Sequence, residues 1–87
     1  MYKVRFSKQA AKDLQKLDKN ISSMLIAWIS KNLDNIEDAR LYGKSLKGRL
    51  SSFWRYRIGD YRILALIEDD KLIILVVKIG HRKEVYR

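Results

Sequence analysis

The stretch FWRYRIGDYRILALI, residues 53–67, sets Arg55, Arg57 and Arg62 around a Gly59-Asp60 step. A Gly-Asp pair between two alternating apolar runs reads as a two-residue hairpin turn, with glycine supplying the positive φ. Such a turn pairs Ile58 with Tyr61, Arg57 with Arg62 and Arg55 with Leu64. Side chains alternate faces along a strand, so the three guanidiniums emerge on one side. Like charges set opposite each other cost stability. A guanidinium is a rigid fork of donors that matches phosphate oxygens. A cluster held against its own repulsion therefore points to a phosphate chain that neutralises it. The competing arrangement is an ordinary ion-pair network with Glu37, Asp38 or Glu84.

The chain ends GHRKEVYR, which places His81, Arg82, Lys83, Glu84 and Tyr86 just past the last strand, where side chains can return to the arginine face. RNA strand cleavage needs a base for the 2′-OH proton, cations for the charge building on phosphorus, and an acid for the leaving oxygen. Histidine titrates near neutrality and is the usual acid or base. Arginines supply the electrostatic part, and a tyrosine can stack on a nucleobase. A lone histidine is nevertheless more often structural or merely exposed.

The elements that must carry these groups follow from periodicity. Residues 2–6 alternate as a strand, with Tyr2, Val4 and Phe6 on one face. Ser7 can cap a helix over about residues 8–17, whose stripe is Ala10, Ala11, Leu14 and Leu17. A second helix over about 20–35 carries Ile21, Leu25, Trp28, Ile29, Leu33 and Ile36 on a broad face. Residues 37–50 read as an irregular loop pinned by Leu41 and Leu46. Three strands follow, about 52–58, 61–68 and 71–79, the last two joined by a tight Asp69-Asp70 turn. The order β-α-α-β-β-β gives an α+β domain: an antiparallel sheet with a two-helix hairpin on one face.

In that register the helix-side face holds Trp54, Tyr56, Ile58, Tyr61, Ile63, Ala65 and Ile67, joined by Leu72, Ile74 and Val76. The other face holds the arginines together with Leu64, Leu66, Ile73, Leu75, Val77 and Ile79. Leu64, Leu66, Ile73 and Leu75 left bare make an apolar patch that a monomer rarely shows. The tail or a partner protein is expected to cover it.

Composition narrows the classes. Residues 1–87 suit one domain, and a hydrophobic fraction of 47% is too high for a disordered chain. Nineteen Lys+Arg against ten Asp+Glu give a net charge of +9, which calls for a polyanion. There is no cysteine and only one histidine, so neither a metal site nor a cofactor is expected. The absence of thiols suits a reducing cytoplasm. No apolar run reaches membrane-spanning length, and the alternating start is unlike a signal peptide, so no membrane partner is expected.

The element order, the KSLKG segment, the GDYR hairpin and the IGHRKEVY end together resemble the RelE branch of the RelE/ParE toxin superfamily, over nearly the whole chain. That resemblance implies the toxin half of a type II toxin–antitoxin pair. It implies an endonuclease that cleaves mRNA in the ribosomal A site without a metal, by 2′-OH attack, with that mRNA and the ribosome (its rRNA) as partners. It also implies a cognate acidic antitoxin that wraps the toxin, with operator DNA met only through that antitoxin. By position it assigns Arg62, Arg82 and Tyr86 to catalysis, with His81 or Tyr86 as base or acid in either role. Arg55 and Arg57 stand where the best-known member often has lysines. Arginine keeps its proton, so these two become phosphate clamps, with Lys44 and Lys47 alongside them. Two other readings stay open: a ParE-like inhibitor of DNA gyrase that cuts no RNA, and a non-catalytic nucleic-acid-binding module.

Overall fold

The computed structural model describes residues 1–83. Strand β1 (Lys3–Phe6) leads into helices α1 (Lys8–Lys16) and α2 (Lys19–Asn32). A loop then carries a two-residue strand β2 (Lys44–Ser45) and a 3-10 turn (Gly48–Leu50). Strands β3 (Trp54–Ile58), β4 (Tyr61–Glu68) and β5 (Ile73–His81) complete a five-stranded sheet in the order β1-β5-β4-β3-β2.

Local chemistry sets the helix starts. The Ser7 hydroxyl accepts from Ala10 N at 3.0 Å, and the Asp18 carboxylate accepts from Asn20 N at 2.8 Å. Each satisfies an orphan donor of a first turn. The helices bury Ala10, Leu25, Ile29 and Leu33 against Tyr56, Ile63, Ala65, Ile74 and Val76 of the sheet in one hydrophobic cluster. Leu14, Leu17, Ile21, Trp28 and Ile36 pack on its margin, whereas Ala11, on the adjacent helix face, is exposed.

The α+β architecture with its helical pair on one face stands, with a refinement at each sheet edge. β1 pairs parallel to β5, Val4 against Ile74, so the sheet is mixed rather than wholly antiparallel. At the other edge the loop supplies β2, which pairs Lys44 with Arg55 and Ser45 with Trp54. Leu41 does not pin that loop, being 64% exposed. Tyr56 holds it instead, its buried hydroxyl donating to Ala39 O at 2.6 Å, and Trp54 Nε1 donates to Tyr42 O at 2.7 Å.

The hairpin register agrees residue for residue with the Gly59-Asp60 turn: Ile58 opposite Tyr61, Arg57 opposite Arg62, Arg55 opposite Leu64. The β4–β5 connection does not. Glu68 pairs with Ile73, so the turn spans residues 69–72 rather than two residues, and Leu72 sits in it with φ 54° instead of on the core face. A shift of two residues leaves the faces unchanged. A register break then changes them, since Leu64 pairs with Lys78 while Ala65 pairs with Val76, leaving Val77 as the extra residue of a bulge. Beyond the bulge the faces exchange. Ile79 joins the core at 3% exposure, and Lys78 lies opposite Leu64 on the other face.

The bulge has partners for its main chain. Past Phe6, β5 has no strand beside it on the β1 side, and α1 with its cap supplies the bonds. Ser7 Oγ donates to Val77 O at 3.1 Å, and the Asp13 carboxylate accepts from Ile79 N at 2.9 Å.

Candidate nucleic-acid interface

Tyr56, Ile58 and Ile63 are buried toward the helices, so Arg55, Arg57 and Arg62 project from the side opposite the helices. Arg57 and Arg62 face each other across the strands. Arg55 stands two residues along β3, a step of ~6.8 Å, with Lys44 as its neighbour across β2. On the other side of Leu64 comes Lys78, which strict alternation had put on the core face. The readable signal was there: a lysine in the apolar run LIILVVKIG belongs in no core, so the alternation had to break before it.

Neither Glu37 nor Asp38 neutralises Arg55 or Arg57. The ion pair among the described residues joins Arg40 to Asp69, and the Asp38 carboxylate accepts from Arg40 N. Glu84 lies outside the described residues. Arg55 Nε is buried without a hydrogen-bond partner among the described residues, which costs free energy in the absence of an acceptor. Arg57 Nε makes only a long contact of 3.5 Å to Gly59 O.

The apolar part of this face is less bare than alternation suggests. Leu64 is only 4% exposed, and Leu66, Ile73 and Leu75 are half-buried. Leu64 stands between Arg55 and Lys78, and Leu75 beside Arg5. Long cationic side chains lay their stems over such surface while their heads stay in water.

The tail residues divide. Arg82 N donates to Asp60 O at 2.9 Å, holding the start of the tail against the β3–β4 turn and so near Arg57 and Arg62. His81 does not return to the arginine face. It pairs with Tyr61, and its ring meets that of Tyr61 edge-to-face at 5.7 Å on the helix side. The reason is again the bulge, which exchanged the faces of β5 before position 81. Its Nδ1 accepts from Lys83 N at 3.3 Å, which puts the ring proton of the neutral form on Nε2. Lys47 is exposed at the entry to the 3-10 turn. Tyr86 lies outside the described residues. Among the described residues no three of His, Cys, Asp and Glu gather into a metal site, and no helix is long and apolar enough to cross a membrane.

A second polar cluster lies at the other end of the sheet. Arg40 grips Asp69 through two bonds, at 2.9 and 3.0 Å, and the Tyr2 hydroxyl donates to the same carboxylate. The Arg40 guanidinium lies 5.9 Å from the Trp54 ring centre. Arg40, followed by Tyr2, pulls the Asp69 carboxyl down to about 2. The bond to Asp69 raises the Tyr2 phenol in return. Burial raises the Tyr56 phenol.

A small basic sheet domain with a two-helix cover has the architecture of the RelE/ParE toxins. Residues 4–86 match the family described as the ParE toxin of type II toxin–antitoxin systems, and the chain belongs to that family. It is 33% identical over 86 residues to toxin RelG of Mycobacterium tuberculosis, covering 99% of this chain and 97% of the relative. To toxin RelE3 of Methanocaldococcus jannaschii it is 33% identical, covering 97% and 94%. Among solved structures it resembles a chain of the RelBE2 toxin–antitoxin complex of M. tuberculosis, with TM-score 0.85, 29% identity and coverage of 95% and 93%. A chain of the Methanococcus jannaschii RelB-RelE complex gives TM-score 0.69 at 28% identity, with 93% of each chain covered.

Proposed function

We propose that this toxin is a metal-independent endoribonuclease that cleaves mRNA in the ribosomal A site. The observation that carries the reading is the face of Arg55, Arg57 and Arg62, which forms a strand hairpin without a carboxylate for Arg55 or Arg57 among the described residues. Phosphates fit Arg55 and Arg57 better than any carboxylate among the described residues. In the reaction the 2′-oxygen forms a bond to the adjacent phosphorus and the bond to the next 5′-oxygen breaks. The proton lost from the 2′-OH is matched by one gained at the leaving oxygen. Arg62 and Arg82 stabilise the charge on the phosphoryl oxygens, and Arg55, Arg57, Lys44 and Lys47 hold the flanking phosphates. Proton transfer falls to Tyr86, and to His81 only if its ring leaves Tyr61.

The partner that silences the site is an acidic antitoxin; structures that the fold resembles are chains of toxin–antitoxin complexes. An acidic segment would neutralise the same cations, and operator DNA would be reached only through it. The cytoplasm, where mRNA and ribosomes meet, is where the toxin acts. A second reading, inhibition of DNA gyrase, is favoured by the ParE description of the family. Expression of the chain alone, followed by primer extension on translated mRNA, separates the two. New 5′ ends within reading frames are expected. Growth arrest with intact mRNA and inhibited gyrase rejects the nuclease.

A further inference from the structure

Beside the arginine face lies a recess of about 260 Å³ lined by Trp28, Tyr42, Gly43, Lys44, Arg55 and Arg57. It opens at the edge of the sheet where β2 has ended. β2 reaches only Trp54 and Arg55, so β3 continues to Ile58 with no strand on that side. One wall is aromatic, the Tyr42 ring lying edge-to-face on Trp28 at 5.6 Å. The other wall is cationic. Tyr42 is 39% exposed although its ring packs on Trp28.

The wall is built rather than incidental. Trp54 Nε1 holds the Tyr42 carbonyl at 2.7 Å. Gly43 follows at φ +87°, where a Cβ would stand 2.2 Å from Arg55 O and 2.7 Å from Trp54 Nε1. Only glycine lets the loop pass this close to β3, and that passage sets the ring of Tyr42 beside Arg55 and Arg57.

We propose that this recess is a nucleobase-stacking subsite: one base of a single-stranded RNA lies on Tyr42 while its phosphates rest on Lys44, Arg55 and Arg57. This deepens the nuclease reading and rests on it. The volume is below the usual range for small-molecule pockets, so it takes one planar ring and neither a helix nor a larger ligand. An aromatic face next to guanidiniums is the pairing that single-stranded nucleic acids use, stacking for the base and cations for the backbone. Stacking tolerates any base, so the subsite adds grip and register along the strand rather than codon choice.

The test is binding of a short single-stranded RNA with 2′-O-methyl sugars, which lacks the attacking hydroxyl, followed by tryptophan fluorescence. Trp28 touches Tyr42 and Trp54 bonds its carbonyl, so both report on the recess. Tyr42→Ala is expected to weaken binding roughly five- to a hundred-fold without changing the salt dependence, since no charge is lost. Tyr42→Phe is expected to bind as the parent does. Arg55→Gln, in contrast, is expected to lower the salt slope by about one. On a strand of abasic nucleotides the parent and Tyr42→Ala should be equal. Tyr42→Leu keeps the apolar contact with Trp28 and guards against a folding defect, with circular dichroism as the control; it should bind as weakly as Tyr42→Ala. Equal binding by Tyr42→Ala and the parent, or an equal loss on the abasic strand, overturns the subsite alone. A parent that binds no RNA overturns the subsite, while the nuclease reading is decided by the primer extension on translated mRNA. A Tyr42→Ala effect confined to an acidic peptide assigns the recess to a protein partner and also overturns the proposal.

Discussion

The two ends of β4 use arginine in opposite ways. At its start, Arg62 faces Arg57 across the hairpin with Arg55 nearby. Just past its end, ~23 Å along the strand, Asp69 receives both prongs of Arg40 and the Tyr2 hydroxyl. The second arrangement ties three separate parts of the chain: the start of β1, the loop after α2 and the β4–β5 turn. Its charges are matched, and its role is to hold the fold. The first sets Arg57 against Arg62 at the cost of mutual repulsion, and Arg55 and Arg57 have no carboxylate partner among the described residues. On the nuclease reading, a small domain with little stability to spare keeps such a cluster because a phosphate chain completes it. Pairing state, rather than residue type, separates Arg40 from Arg55 and Arg57 among the described residues.

The comparison breaks or sharpens on four measurements. The largest effect is expected for Arg62→Ala, which should lower mRNA cleavage by about a hundred-fold or more and abolish growth arrest while the domain stays folded. Full arrest in that variant would reduce the open cluster to surface charge. Next comes Tyr56→Phe in the structural half. It leaves Ala39 O buried without its donor and should cost about 1–3 kcal/mol, a fall in Tm of roughly 4–8 °C per kcal/mol, with the toxin's chemistry intact in the folded fraction. Asp69→Asn should lower Tm by less, the pair being half in water, and it carries a pH signature. The Asp69 carboxyl is held at about 2 when folded against an ordinary 3.8. Its contribution is therefore present above about pH 4 and lost as pH falls toward 2. A flatter acid limb in thermal melts of Asp69→Asn is expected; an unchanged limb would remove Asp69 from the account. The smallest effect is on stability in Arg57→Ala, a gain of a few tenths of a kcal/mol from relieved repulsion, accompanied by weaker RNA binding. A loss of stability there would mean that the cluster holds the fold after all.

What could be read from the chain was whatever obeys a local rule. The Gly59-Asp60 step sets the turn length, alternation carries the register outward from it, and Arg55, Arg57 and Arg62 fall on one face with no knowledge of the rest. The two helices follow from spacing, the first also from its Ser7 cap, whereas the Asp18 cap of the second emerged only with the structure. What the chain alone did not disclose depends on contacts between distant segments. The parallel seat of β1 beside β5 and the short β2 at the far edge are pairings of remote residues. The bulge at Val77 is completed by Ser7 and Asp13 across the first helix. That single extra residue brought Lys78 to the arginine face, turned His81 away from it and drew Ile79 into the core. Alternation is a local property of one strand, whereas a bulge is decided by what must be hydrogen-bonded beside it. Tertiary structure therefore has the last word on which side of β5 each residue lies.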